Sequence, residues 1–265
     1  MQIQGKTVLI TGGGGGIGSA LGREFHSYGC RVMLCDKNAE TLRAVADSRP
    51  GIHASPCDVT DDGAIDRLKE EVERTFGGLD ILINNAAASL DYSFVRDTAA
   101  LEKMALEVAT NFRAPLRLIK LFMPLLLRSE EAAIVNVTSD LAHIPLSRKP
   151  TYTATKAALH AFSVALRDDL EDSNIRVFEV QPPPVNVGRK RDYYFGLGLQ
   201  ISTSVFAPAV VQAIRNDVFE IRIGQSQFTY LISRICPAYV RRMMNTKKYF
   251  KGKKPPASET AAGRS

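Results

Sequence analysis

The chain has 265 residues, 45% hydrophobic and 23% charged, an ordinary globular composition that can bury a sizeable core and argues against a disordered or fibrous protein. No apolar run approaches the roughly 20 residues that span a bilayer, and residues 1–6 lead straight into a strand pattern without a signal-peptide profile, so a cytoplasmic protein is expected. The net charge of +6 is local: residues 241–254 hold seven basic groups and no acid, leaving 27 basic against 28 acidic residues elsewhere, which removes the case for a nucleic-acid-binding body.

A short β-branched run at residues 6–11 ends in glycines and predicts a buried strand. Residues 16–28 follow as a helix, with Ile17, Leu21 and Phe25 at helical spacing. The pattern then alternates: strand 31–35, helix 39–47, strand 52–56, helix 61–76, strand 80–83. A long helical stretch at 101–127 is expected to bend at Pro115. Strand 133–137, helix 152–171 and strand 175–180 come next. Strands alternating with amphipathic helices predict a doubly wound parallel sheet (Rossmann) in three layers, α/β/α.

Residues 182–206 lack periodicity and read as an irregular substrate loop. Tyr193, Tyr194 and Phe195 within it are either an aromatic lid or ordinary packing. A helix at 207–216, a strand at 220–223 and an apolar-basic segment at 228–245 complete a single domain, residues 1–245. Residues 246–265 are basic, then small and polar, and are expected to form a disordered tail.

Gly12 to Gly16, then Ile17 and Gly18, lie between the first strand and the first helix. Glycines there let the backbone approach a diphosphate at a helix N-terminus. Asp36 ends the second strand, where a carboxylate accepts from adenosine ribose hydroxyls and repels a 2′-phosphate. With no Arg or Lys inside the glycine run, NAD(H) is favoured over NADP(H), although the Lys37 cation softens the choice. The competing reading of Asp36 is a solvated turn residue.

Tyr152 and Lys156 stand one turn apart on a predicted helix. A phenol titrates near pH 10, too high for ordinary acid-base work, but a nearby cation stabilises the phenolate. Ser139 follows the fifth strand, at the carboxyl edge where open α/β sheets bind ligands. These three polar groups are expected to share one crevice.

At this point the sequence resembles the short-chain dehydrogenase/reductase family over roughly residues 3–190. The signs are Thr11-Gly12-x-x-x-Gly16-Ile17-Gly18, Asp58-Val59, Asn84-Asn85-Ala86, Asn111, Ser139 and Tyr152-x-x-x-Lys156. The resemblance implies hydride transfer between a nicotinamide cofactor and a secondary alcohol or ketone, with Tyr152 as general acid or base. It implies that Lys156 lowers the phenol's pKa and holds the nicotinamide ribose, that Ser139 orients the substrate oxygen, and that Asn111 anchors a water in a proton relay. It implies adenine contacts at Asp58 and Val59, support of the strands and cofactor at Asn84 and Ala86, and cofactor contacts at Pro182 and Val185. It also implies a homo-oligomer paired through the helices at 101–127 and 152–171.

Three positions depart from the family pattern. Ala87 replaces the usual glycine, Pro183 replaces the glycine of a Pro-Gly pair, and Val187 stands where a threonine is common. The opening Ile3-Gln4-Gly5-Lys6, the proline-rich turn and the late Glu220-Ile221-Arg222-Ile223-Gly224 have a looser similarity to the branch of oxidoreductases associated with the D-alanyl-lipoteichoic-acid gene cluster.

The four cysteines form no Cys-x-x-Cys pair and the four histidines no metal-ligand spacing, so reduced cysteines and no metal site are expected. His160 reads as a partly exposed helix residue, and His143 as a neighbour of the site mouth. The expected partner is a small carbonyl or alcohol substrate, without nucleic acid and without stable membrane insertion. The alternative function is a non-catalytic nucleotide-sensing or scaffold protein on the same fold. Substrate identity is set by loops near residues 88–96, 140–150 and 188–206.

Overall fold

The computed structural model describes residues 1–188 and 200–246. The predicted tail and the aromatic trio at 193–195 lie outside the described residues. Strands β1 (Thr7–Thr11), β2 (Arg31–Asp36), β3 (Ile52–Pro56) and β4 (Ile81–Asn84) alternate with helices α1 (Gly16–Ser27), α2 (Ala39–Asp47) and α3 (Asp62–Phe76). Helix α4 (Ala100–Val108) runs through a π-helical turn (Ala109–Arg113) into α5 (Ala114–Leu127). Then come β5 (Ala132–Val137), a 3₁₀ turn (Asp140–His143), α6 (Pro150–Asp169) and β6 (Ile175–Gln181). A two-stranded parallel ribbon, β7 (Val185–Asn186) with β8 (Ile201–Ser202), precedes α7 (Thr203–Arg215), β9 (Glu220–Arg222), α8 (Gln225–Ile235) and α9 (Pro237–Met244).

Seven strands form one parallel sheet in the order β3-β2-β1-β4-β5-β6-β9. The order reverses between β1 and β4, which opens a crevice at their carboxyl ends. Strand side chains alternate faces, so Val8, Ile10, Ile83, Val135 and Val180 join α1 and α7 in one core layer. Leu9, Leu82, Ile134 and Val177 join α3 and α5 in the other. The sheet is buried on both faces, as its near-continuous apolar strands require.

The interruption of the long helix is the π turn at Ala109–Arg113, which ends two residues before Pro115. Helical backbone angles continue from that turn into α5, so Pro115 is not at a free helix end and its missing N–H leaves the turn before it one ladder bond short. The wider turn is centred on Asn111, which is fully buried.

The glycine turn is set by close backbone approach. Gly12 adopts φ +67°, and a methyl there would stand 2.9 Å from the Ala86 Cα. A methyl on Gly18 would lie 2.2 Å from the Gly12 carbonyl oxygen, a backbone atom that cannot rotate away. Gly18→Ala is therefore expected to cost about 1–3 kcal/mol, read as a drop of several degrees in the thermal midpoint. Gly78→Ala, whose methyl meets nothing within 4 Å, serves as the control and should leave the midpoint unchanged; equal effects at both positions would refute the steric account.

Candidate active site

Helix α1 begins on Gly15 with no side-chain cap and no acid in its first turn, so its first amides are left for an anionic ligand. Thr11 Oγ1 accepts from the Asn85 and Ala86 amides, both at 3.0 Å, and Asn85 Nδ2 donates to the Thr11 carbonyl at 2.8 Å. These bonds hold the turns after β1 and β4 side by side. Asp36 Oδ2 accepts from the Gly14 amide at 3.1 Å and Oδ1 from the Asn38 amide at 3.0 Å. Beside it runs an open groove of about 780 Å³ lined by Lys37, Asn38, Asp58 and Arg67 among others.

Val59 packs into the core beneath this groove and is not part of its lining. Asn84, fully buried, donates from Nδ2 to Asn136 Oδ1 at 2.9 Å, and its own Oδ1 has no partner among the described residues. Pro182 and Val185 are buried beyond β6, and the Pro182 carbonyl accepts from the Asp140 amide at 3.2 Å. Val187 lies against Gly16, where an added methyl would come within 2.4 Å of the valine Cβ. A glycine cradle, uncapped helix amides, a carboxylate at the end of β2 and an open groove together fit a dinucleotide.

The other half of the crevice is built on β5 and α6. Lys156 is 2% exposed and its Nζ donates to the Val137 carbonyl at 2.7 Å. Burial pulls its pKa down to about 8, partly opposed by the Glu179 carboxylate. The ammonium stands 5.9 Å from the centre of the Tyr152 ring, one turn earlier on α6. Ser139 caps the 3₁₀ turn, its Oγ accepting from the Leu141 amide at 3.2 Å and donating to Asp140 Oδ1 at 3.1 Å. Burial pushes the Asp140 carboxyl up to about 7, against its hydrogen bonds from Ser139 and Leu141.

Asn111 accepts from the Ala88 amide at 2.8 Å and donates to the Ala88 carbonyl at 2.8 Å and Thr155 Oγ1 at 3.2 Å. Its side chain thus ties the segment after β4 to α6, one residue before Lys156. Tyr152, Lys156 and Ser139 stand at one edge of the sheet, and Asn111 reaches the same edge through Thr155.

Two buried acids, Glu179 and Glu107, escaped the sequence reading, as did the partners of His160 and His143. Glu179, buried within β6, accepts from Thr138 Oγ1 at 2.6 Å and from His160 Nδ1 at 2.7 Å. Burial works to raise its pKa, but the bonds from His160 and Thr138 leave it below the ordinary value. The bond to Glu179 raises His160 in turn. His160 is therefore tied to a buried carboxylate rather than being an ordinary helix histidine. His143 packs edge-on against it at 4.8 Å, and His143 Nε2 pairs with Gln181 Oε1 at 3.1 Å. Glu107, also buried, accepts from the Leu90 amide at 2.7 Å, and burial pushes its carboxyl up. An acid inside the otherwise apolar run Val177-Phe178-Glu179-Val180 was the available signal.

A family model described as short chain dehydrogenase matches residues 6–194. The chain belongs to this family. An uncharacterized oxidoreductase named DltE from Bacillus subtilis is 40% identical over 188 residues, covering 71% of this chain and 75% of that one. Dehydrogenase/reductase SDR family member 7B from Bos taurus is 34% identical over 190 residues, covering 68% of this chain and 58% of that protein. A short chain dehydrogenase from Burkholderia cenocepacia J2315, solved in complex with NADP, has a TM-score of 0.77 at 23% identity, covering 93% of this chain and 100% of the other. That last likeness is one of fold.

Within this short-chain dehydrogenase the Glu179–His160 pair makes a pH-dependent contribution to stability. His160, raised above its ordinary 6.5, contributes fully below that value and loses its share as pH climbs through the raised pKa. Glu179, lowered from 4.5, contributes fully above that value and loses its share as pH falls through the lowered pKa. Glu179→Gln is expected to cost about 3 kcal/mol at a pH between the two ordinary values, and less at alkaline pH. Urea unfolding of both proteins across this range measures it, and a cost independent of pH would rule out the ion pair.

Proposed function

We propose that the chain is an oxidoreductase acting on a small secondary alcohol or ketone in the cytoplasm, with NAD(H) favoured over NADP(H). The observation that carries the reading is the buried Lys156 ammonium beside the Tyr152 ring, with Ser139 at the same edge of the sheet. When bound, the nicotinamide cofactor supplies or takes up the hydride. In the direction of reduction, the Tyr152 hydroxyl gives its proton to the carbonyl oxygen. The Lys156 ammonium stabilises the phenolate that remains, in a site where burial strengthens the attraction.

Ser139 Oγ directs its proton toward the substrate oxygen, which requires it to leave Asp140 Oδ1 while still accepting from the Leu141 amide. Asn111 keeps the segment around Ala88 and the Thr155 turn fixed relative to each other, so α6 carries the phenol and ammonium at a set position against the turn after β4. The Gly12–Gly18 turn and the α1 amides would hold the diphosphate, and Asp36 the adenosine ribose, with Asp58 along the adenine groove. A homo-oligomer through α4, α5 and α6 accords with the exposed Leu101, Leu106, Val108 and Leu127.

The alternative of a nucleotide-binding scaffold is favoured by one observation, the Val187 side chain seated against Gly16 without a hydroxyl to offer a cofactor. NADH and NADPH with a panel of ketones, and NAD with alcohols, separate the two readings. Tyr152→Phe is expected to lower kcat by about 10²–10⁴-fold while changing NADH affinity little. Cofactor binding without turnover of any carbonyl compound would favour the scaffold.

Coenzyme choice has its own test. Asp36→Asn keeps an acceptor for the Gly14 amide and removes the charge that repels a 2′-phosphate. The kcat/KM ratio of NADH to NADPH is expected to fall by about tenfold, equivalent to about 1.4 kcal/mol. An unchanged ratio would assign the choice to Lys37 and Arg67 instead.

A further inference from the structure

Helix α8 carries apolar side chains on two faces. Its inner face is spoken for: Ser226 and Ser233 are buried, Ile232 packs with Leu141, Ile144 and Val240, and the Tyr230 ring lies 4.9 Å from His143. Its outer face carries Phe228, Leu231 and Ile235, exposed by 53%, 55% and 67%. At about 100° per residue these three fall within an arc of about 60°, a stripe that an ordinary surface helix fills with polar groups. Tyr239, on α9, is a further exposed large ring at 67%. Nothing among the described residues covers the stripe.

The charge around this stripe has one sign. From the start of α8 at Gln225 to Ser258 the sequence has eight Lys and Arg residues and no Asp or Glu; Arg222, just before it, is already paired with Glu220. Arg234 lies about 60° from Leu231 on the same helix, and Arg241 and Arg242 are exposed on α9. Such an arrangement fits an interface whose interior is apolar and whose rim is negative. An anionic bilayer has both properties: apolar side chains enter the acyl boundary while Arg and Lys heads stay among the phosphates. A neutral protein surface would satisfy the stripe but leave the cations without partners.

We propose that α8 and α9 dock reversibly on an anionic lipid surface, with Phe228, Leu231 and Ile235 entering the interface and Arg234, Arg241 and Arg242 among the headgroups. No helix among the described residues is long and apolar enough to cross a membrane, so the docking is peripheral. It does not depend on the oxidoreductase reading, because neither the stripe nor the cations belong to the cofactor crevice.

The test is flotation of the full chain with vesicles of phosphatidylcholine alone or mixed with phosphatidylglycerol, at low and high salt. The expected result is at least tenfold greater binding to the anionic vesicles, falling as salt rises. Leu231→Glu with Ile235→Glu, both at exposed positions, should remove most of that binding, as should Arg241→Glu with Arg242→Glu, with the unfolding midpoint unchanged. Absence of binding to anionic vesicles at low salt would overturn the proposal. So would retention of binding by the Leu231/Ile235 variant, which would leave the tail lysines as the attachment. A third overturning result is a change from oligomer to monomer in that variant with vesicle binding unaltered, which would make a second copy the occupant.

Discussion

Keeping a charged lysine out of water is the constraint around which this molecule is arranged. Lys156 gives up its hydration and recovers one hydrogen bond, to the Val137 carbonyl, together with the field of the Glu179 carboxylate. An ammonium so placed has a lowered affinity for its proton and a strong attraction for any negative charge that develops nearby. The buried carboxylate has needs of its own, met by Thr138 and His160. One buried cation therefore recruits β5, β6 and two turns of α6 into a polar seam beneath an otherwise apolar sheet.

A second polar chain secures the same elements from the other side. Asn84 on β4 donates to Asn136 on β5, whose Nδ2 donates at 2.9 Å to Ser163 on α6. Asn111, at the π turn, reaches both the segment after β4 and Thr155. Buried amides that are bonded in this way specify one arrangement, because any slippage leaves a donor unpaired in a dry interior. Helix α6 is consequently positioned by directional bonds as well as by apolar packing.

Most of the sheet was legible in the sequence, and the reason is periodicity. Runs such as Val8-Leu9-Ile10 and Ile81-Leu82-Ile83 are apolar on both faces, and the helices between them repeat at 3.6 residues, so boundaries up to β6 fall within a residue or two of expectation; α7 starts at Thr203, four residues early, and β7 and β8 form within the stretch expected to be an irregular loop. The π turn itself was not legible, since Ala109-Thr110-Asn111-Phe112-Arg113 contains no helix breaker; only Pro115, two residues beyond it, marked the neighbourhood. The candidate catalytic residues stood out through local spacing, Tyr152 with Lys156, and through their order after successive strands. Glu179, His160 and His143 did not, because they meet only when three separate elements pack together. The C-terminal segment was read as apolar and basic, but which of its apolar residues face outward depends on how α8 sits against the 3₁₀ turn.

The contact between Gly16 and Val187 joins two distant stretches of chain into one steric unit. Position 16 has no room for a methyl because the valine is there, so residue size at 187 and residue freedom at 16 cannot vary independently. Among relatives, a bulkier residue at 16 would be tolerated only alongside a smaller one at 187, and lineages would have to change both positions in concert. The inherited glycine turn is in this respect partly a record of what stands across from it.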